Sequence, residues 1–347
     1  MNMKILTFFT FLLLTPLLFS EEKQEPKIKE EIVETHHSIP LRGKELHYKA
    51  TAGTLLLKDS NDKPTASIFY VSYILENGEP ASKRPITFCF NGGPGSSAVW
   101  LHMGAFGPKI LAVSDEGVPI FPPKAIENDT TLLDITDLVF VDPMSTGHSK
   151  APSTEEAKAF YEVEEDIKSM AQFIRLYVTK NNRWLSPKYI IGESYGTTRS
   201  AGIASHLNDD NYLTLNGIIM LSAALNFQTF SFNNGNDLPY VIYLPSYTAA
   251  AWYHHKLPED LQGNLETALR ESEAFATKEY AQALIKGDSL DSEEENAIAQ
   301  KLSRYTGLDP DYLKTMNLRV SAGKYGKKIV ESGELLGRFD SRFKGLD

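Results

Sequence analysis

The chain has almost no cysteine. Cys89 stands alone among 347 residues, so no internal disulfide can form. Stability must come from a buried core, which a chain of this length can supply. A basic excess is also missing. Lys and Arg number 35 against 45 Asp and Glu, a formal charge of −10. That balance excludes the electropositive groove that nucleic acid requires. Histidine is scarce: there are eight, and the last is His255. No His/Asp/Glu cluster has metal-ligand spacing, so a metal site is unsupported. The one long apolar run is Ile5 to Phe19, preceded by Lys4 and free of acids. It is short for a membrane span and suits a secretory signal peptide over residues 1–20. Cleavage near Ser20 is expected, although Leu18 is large for the usual small-x-small pattern, and an uncleaved anchor is the alternative. The protein is therefore expected to be exported, periplasmic or secreted. Residues 21–35 are charged, with little periodicity, and read as a linker.

What is present is ordinary globular composition, 42% hydrophobic and 23% charged. Short strand patterns come first, at Leu46–Ala50, Gly53–Lys58 and Ala66–Tyr73, ahead of a turn at Asn77-Gly78. Pro85–Phe90 and Leu138–Asp142 are continuous apolar runs, as in parallel strands buried on both faces. Cys89 falls in the first run and is expected to be a buried small apolar residue. Ser153 and Glu156 have capping-box spacing. Phe160, Val163, Ile167, Met170, Ile174 and Tyr177 follow as one apolar helical stripe. Glu162, Glu164, Glu165, Asp166 and Lys168 read as its solvated face. Leu215–Ser222 reads as a further buried strand. Alternating strands and helices predict a mostly parallel sheet with helices on both faces. Beyond Asn226 the strand pattern stops. An aromatic, proline-punctuated segment leads into helical patterns at 259–284, 292–305 and 310–316.

Two stretches carry chemistry. Lys188–Ile191 ends in Gly192-Glu193-Ser194-Tyr195-Gly196, a G-x-S-x-G between a predicted strand and a predicted helix. That is the context of a nucleophile elbow, with Ser194 exposed at the strand's carboxyl end and a helix N-terminus beneath it. The motif also arises by chance. The second stretch weighs against chance: Asn91-Gly92-Gly93-Pro94-Gly95-Ser96-Ser97 follows the Pro85–Phe90 strand. A glycine-rich loop in that position lets backbone N–H groups approach a substrate oxygen.

These stretches, with Val141-Asp142-Pro143-Met144-Ser145-Thr146-Gly147-His148-Ser149, resemble three motifs of the serine carboxypeptidase family, in particular bacterial members without disulfides. The resemblance runs from about residue 40 to the end of the chain. It implies an α/β-hydrolase fold with a core over 36–225, a helical cap inserted over 226–325 and a return towards the core over 326–347. It implies a serine peptidase, needing neither metal nor cofactor, that releases C-terminal residues from peptides through an acyl-enzyme on Ser194. The N–H groups of Gly93 and Tyr195 would form the oxyanion hole. Asn91, Gly92 and Glu193 would bind the substrate's terminal carboxylate, with a proton shared between the two carboxyls. Glu193 could instead be a buried glutamate paired with a backbone donor.

Three departures qualify this expectation. Ala105 stands where the family has a further acid supporting the carboxylate site. His148 replaces an aromatic in the third motif. The family's late Asp and His have no counterpart here, so neither triad role passes to any residue, and the chain reads as truncated with its last sheet strands missing. Among the histidines, His102, His206, His254 and His255 read as structural or exposed. His148 is the least implausible substitute base, because its loop borders the site. The alternatives are an esterase or acyltransferase on the same scaffold, or a catalytically inactive binding protein.

Overall fold

The structure is a computed structural model and describes residues 28–114 and 117–347. The expected signal peptide and residues 21–27 of the expected linker lie outside the described residues. The chain divides into two compact units, one ending at Leu225 and one running from Asn226 to Asp347.

The first unit is built on a seven-stranded sheet. Its strands are β1 (Ile32–Leu41), β2 (Lys44–Lys58), β3 (Pro64–Leu75), β4 (Ile86–Phe90), β5 (Asp137–Val141), β6 (Lys188–Glu193) and β7 (Gly217–Leu221). They lie in the order β1-β2-β3-β5-β4-β6-β7. The first three form an antiparallel meander that joins β5 antiparallel, whereas β5, β4, β6 and β7 run parallel. Every residue of β4 and β5 is buried, which is why both read as mainly apolar stretches without alternation.

Side-chain alternation sorts the core onto two faces. Phe88, Phe90, Val139, Val141 and Ile190 pack with helix α1 (Val163–Lys180) and helix α2 (Tyr195–Asn211) through Ile167, Met170, Phe173, Ile174, Tyr177, Ile203 and Leu207. Cys89, Leu138, Phe140 and Ile191 point the other way and pack with Ile39, Tyr48, Leu101 and Leu133. Cys89 is fully buried, and burial pushes its thiol pKa well up. It is held as an uncharged core residue. Each large side chain in these layers contributes about 1.5–3 kcal/mol of apolar burial.

Several sequence expectations change. β1 begins at Ile32, inside the stretch read as linker, because its partner β2 is one continuous strand rather than two short ones. Seven of its first residues are exposed, so it carries no apolar alternation to detect. The Ser153–Glu156 cap belongs to a separate turn, Thr154–Ala157, and α1 starts only at Val163. β7 is an edge strand with Ile219 and Met220 exposed, not a fully buried one.

In the second unit, helix α3 (Leu238–Tyr253) forms through the aromatic segment, with Pro239 in its first turn and Pro245 inside it. Its mean hydropathy is high on all sides, so no amphipathic stripe marked it. Helices α4 (Leu265–Phe275) and α5 (Ser292–Thr306) pack with it around Leu244, Ala251, Phe275, Leu302 and Tyr325. A full capping box at Asp291 and Glu294 starts α5. The final stretch belongs to this unit and forms the ribbon Glu334–Leu336 with Lys344–Leu346. Among the described residues, no helix is long and apolar enough to cross a membrane.

Candidate active site

The six residues singled out in sequence come together at the carboxyl ends of β4 and β6. Ser194 sits between β6 and α2 with φ 57° and ψ −125°. A non-glycine residue at positive φ costs about 1–3 kcal/mol and persists only where its surroundings enforce it. Here they do. The Ser194 N–H donates to Leu221 O at the end of β7 (2.9 Å). Thr197 Oγ1 donates to Ser194 O (2.7 Å) and accepts from Ala224 N (2.9 Å). The turn is closed by absent side chains. A Cβ on Gly192 would lie 2.3 Å from Gly196 O, and one on Gly196 would lie 2.4 Å from Phe90 O.

The glycine-rich loop leaves β4 directly beside this turn. Gly93 has φ 107°. Gly92 is pressed against the elbow, so that a Cβ there would fall 2.6 Å from Tyr195 N. Asn91 is completely buried. Its Nδ2 donates to Glu193 Oε2 (3.0 Å), and its Oδ1 accepts from Leu101 N (3.0 Å). The two side chains expected to share a carboxylate site are thus hydrogen bonded to each other.

The third motif supports the same loop. Asp142 Oδ1 accepts from Ala98 N (3.0 Å), and Oδ2 accepts from His148 N (3.2 Å). Burial raises the Asp142 pKa, opposed by those two N–H donors. Ser149 Oγ donates to Asp142 O (2.6 Å) and accepts from Phe69 N (2.8 Å). A cavity of about 290 Å³ is bordered by Ser97, Ala98, His102, Asp142 and His148.

Two residues that the sequence reading left without a role are central here. Arg199, on α2, is fully buried. Its Nε donates to both oxygens of Asp166 (3.1 and 2.9 Å), and its Nη1 donates to Asn91 O (2.7 Å). Asp166 is therefore buried and paired, not part of a solvated face. Its position was a usable signal. It lies next to Ile167 at the edge of the α1 stripe, where a carboxylate needs a cation.

The histidines are placed as follows. His102 lies in a π-helical turn, His102–Phe106, not on a regular helix. Its Nε2 lies 2.7 Å from Tyr73 Oη, and its ring stacks on Phe140. Burial lowers its pKa to about 4, so it is neutral at physiological pH. The His148 ring meets Phe69 edge-on. His206 lies well along α2. In the second unit, His254 Nε2 lies 2.7 Å from Ser341 O, and His255 Nδ1 lies 3.4 Å from Gln262 Nε2. Among the described residues, no hydrogen bond reaches the Ser194 hydroxyl.

A parallel sheet flanked by an antiparallel meander, with a strained serine between strand and helix and a glycine loop beside it, defines an α/β-hydrolase fold. The particular family follows from comparison: the model of the serine carboxypeptidase family matches residues 40–332, and the chain belongs to that family. It is similar to a carboxypeptidase Y homolog of Arthroderma benhamiae, 28% identical over 167 residues, covering 46% of this chain and 30% of that protein. Serine carboxypeptidase-like 9 of Arabidopsis thaliana is 23% identical over 164 residues, covering 46% and 36%. The match thus spans about a third of the length of these relatives. Among solved structures, the prohormone-processing carboxypeptidase Kex1(Δ)p of Saccharomyces cerevisiae aligns over 75% of this chain and 53% of its own, with 21% identity and a TM-score of 0.47.

Proposed function

We propose that this chain is a serine-type hydrolase of the carboxypeptidase kind, which removes C-terminal residues from peptides through an acyl-enzyme on Ser194. The observation that carries this reading is the strained Ser194 turn packed against Gly92 of the glycine-rich loop. In the proposed reaction, Ser194 Oγ attacks the scissile carbonyl and forms a C–O bond. The N–H groups of Gly93 and Tyr195 receive the developing oxyanion, and each such donor is worth about 2.7–4 kcal/mol. The C–N bond then breaks, and the amine leaves carrying the proton given up by the Ser194 hydroxyl. Water adds to the ester and the Oγ–C bond breaks. The shortened peptide leaves as its acid, while one proton of the water returns to Ser194 Oγ. Asn91 and Glu193 hold the substrate's terminal carboxylate, with Asn91 Nδ2 already fixed on Glu193. Export through a signal peptide over residues 1–20 is part of the same proposal.

The test is labelling of the purified chain with a fluorophosphonate, with Ser194→Ala as control. Hydrolysis of peptides with free and amidated C-termini should be compared alongside. Labelling lost in the variant, with preference for the free carboxylate, is expected. Equal hydrolysis of both peptides would instead favour an esterase or acyltransferase. A second reading, a hydrolase scaffold that binds without turnover, is favoured by the absence of a described hydrogen bond to Ser194 Oγ. Well-folded protein that does not label would support it.

A further inference from the structure

We propose that Arg199, held by Asp166, is a positioning residue that sets the spacing between the two oxyanion donors. This rests on the serine-hydrolase reading above. The donors come from separate segments, Gly93 from the loop after β4 and Tyr195 from the elbow. Nothing covalent near the site joins these segments, yet oxyanion stabilisation depends on sub-ångström placement of both.

One guanidinium spans them. Arg199 Nη1 donates to Asn91 O (2.7 Å), and Nη2 lies 3.4 Å from Pro94 O. These two carbonyls bracket Gly92 and Gly93. On the elbow side, the guanidinium carbon lies 5.1 Å from the centre of the Tyr195 ring. The same cation thus grips both ends of the donor loop and the side chain of the second donor residue. Asp166 fixes the fork through Nε, with both carboxylate oxygens engaged (3.1 and 2.9 Å). The planar geometry matters: Lys offers one point charge and cannot make these divergent bonds together. Full burial of Arg199 keeps water from relaxing the arrangement.

The experiment compares the wild type with Arg199→Lys, Arg199→Met and Asp166→Asn. It reads fluorophosphonate labelling rate, kcat and KM on an ester, and the thermal midpoint, with kinetics at a temperature where each variant is folded. A misplacement approaching 1 Å can cost about 100-fold. The expected result is a 10–100-fold loss in labelling rate and kcat (about that range by the same reasoning) with KM little changed. Arg199→Lys should fail to rescue the loss. Folded variants that label at the wild-type rate would overturn the proposal, as would a loss confined to the thermal midpoint. If the variants do not fold, the wild type still decides. The Arg199 Nε–H should exchange with solvent far more slowly than that of exposed Arg338, and equal exchange would refute the clamp. A wild type that does not label through Ser194 overturns the serine-hydrolase reading itself, and this proposal falls with it.

Discussion

Replacing Gly92 by alanine tests how closely the glycine loop and the elbow are fitted. The new Cβ would lie 2.6 Å from Tyr195 N, 2.8 Å from Glu193 O and 2.8 Å from Ser194 Cβ. None of these atoms is the free end of a flexible side chain. Non-bonded carbon needs about 3.5 Å, so the two segments must separate by about 1 Å. Overpacking of this kind costs about 1–3 kcal/mol. For a domain of this size that lowers the thermal midpoint by about 2–4 °C per kcal/mol. The functional effect is expected to be larger, because the displaced atoms include Tyr195 N, the proposed oxyanion donor. A shift of 1 Å in a catalytic constellation can cost about 100-fold in rate. The internal control is Gly95→Ala, three residues along the same loop, where a Cβ meets nothing within 4 Å. Labelling rate at Ser194 and thermal midpoint should be measured for both. Gly92→Ala should be slow and less stable, and Gly95→Ala should match the wild type. Two variants that behave alike would refute the close fit.

Two further predictions concern the supporting frame. His102 is held neutral by burial, with its pKa lowered from 6.5 to about 4. The unfolded state then binds more protons between those values, so stability rises with pH across that window and is complete above 6.5. The contribution is about 3 kcal/mol at 1.36 kcal/mol per pK unit. His102→Gln should flatten the stability profile between pH 4 and 6.5, and a wild-type ring signal titrating near 6.5 would contradict this. Asp137 is 1% exposed and shared by two buried arginines, Arg84 Nε at 2.7 Å and Arg183 Nη1 at 2.6 Å. Asp137→Ala leaves two uncompensated guanidiniums and should cost about 3–5 kcal/mol in denaturant unfolding. Asp260→Asn, at an exposed pair with Arg304, should leave the midpoint unchanged, and comparable losses at both sites would defeat the distinction.

The local chemistry was readable without coordinates, because it depends on residues adjacent in the chain. Gly192, Ser194 and Gly196 encode a sharp turn that tolerates no larger neighbours, and Asn91 to Ser97 encode a loop of bare backbone. β4 and β5 declared themselves as apolar runs, because burial on both faces leaves no room for polar alternation. β1 and α3 did not. β1 exists because β2 offers a long edge to pair with, and α3 because its apolar surface is enclosed on several sides. Neither cause lies within the segment itself.

What only the tertiary structure decided is the set of long-range pairings. Asp166 looked like one acid among several on a charged helix face. Its partner is 33 residues away on α2, and burial turned that pair into a strut between α1, the glycine loop and the elbow. Asp142 likewise acts through Ala98 N, 44 residues earlier. A short motif records which atoms a turn can present. Which buried charges meet depends on how the sheet order brings distant segments together, since only desolvation at the meeting point makes the pairing obligatory.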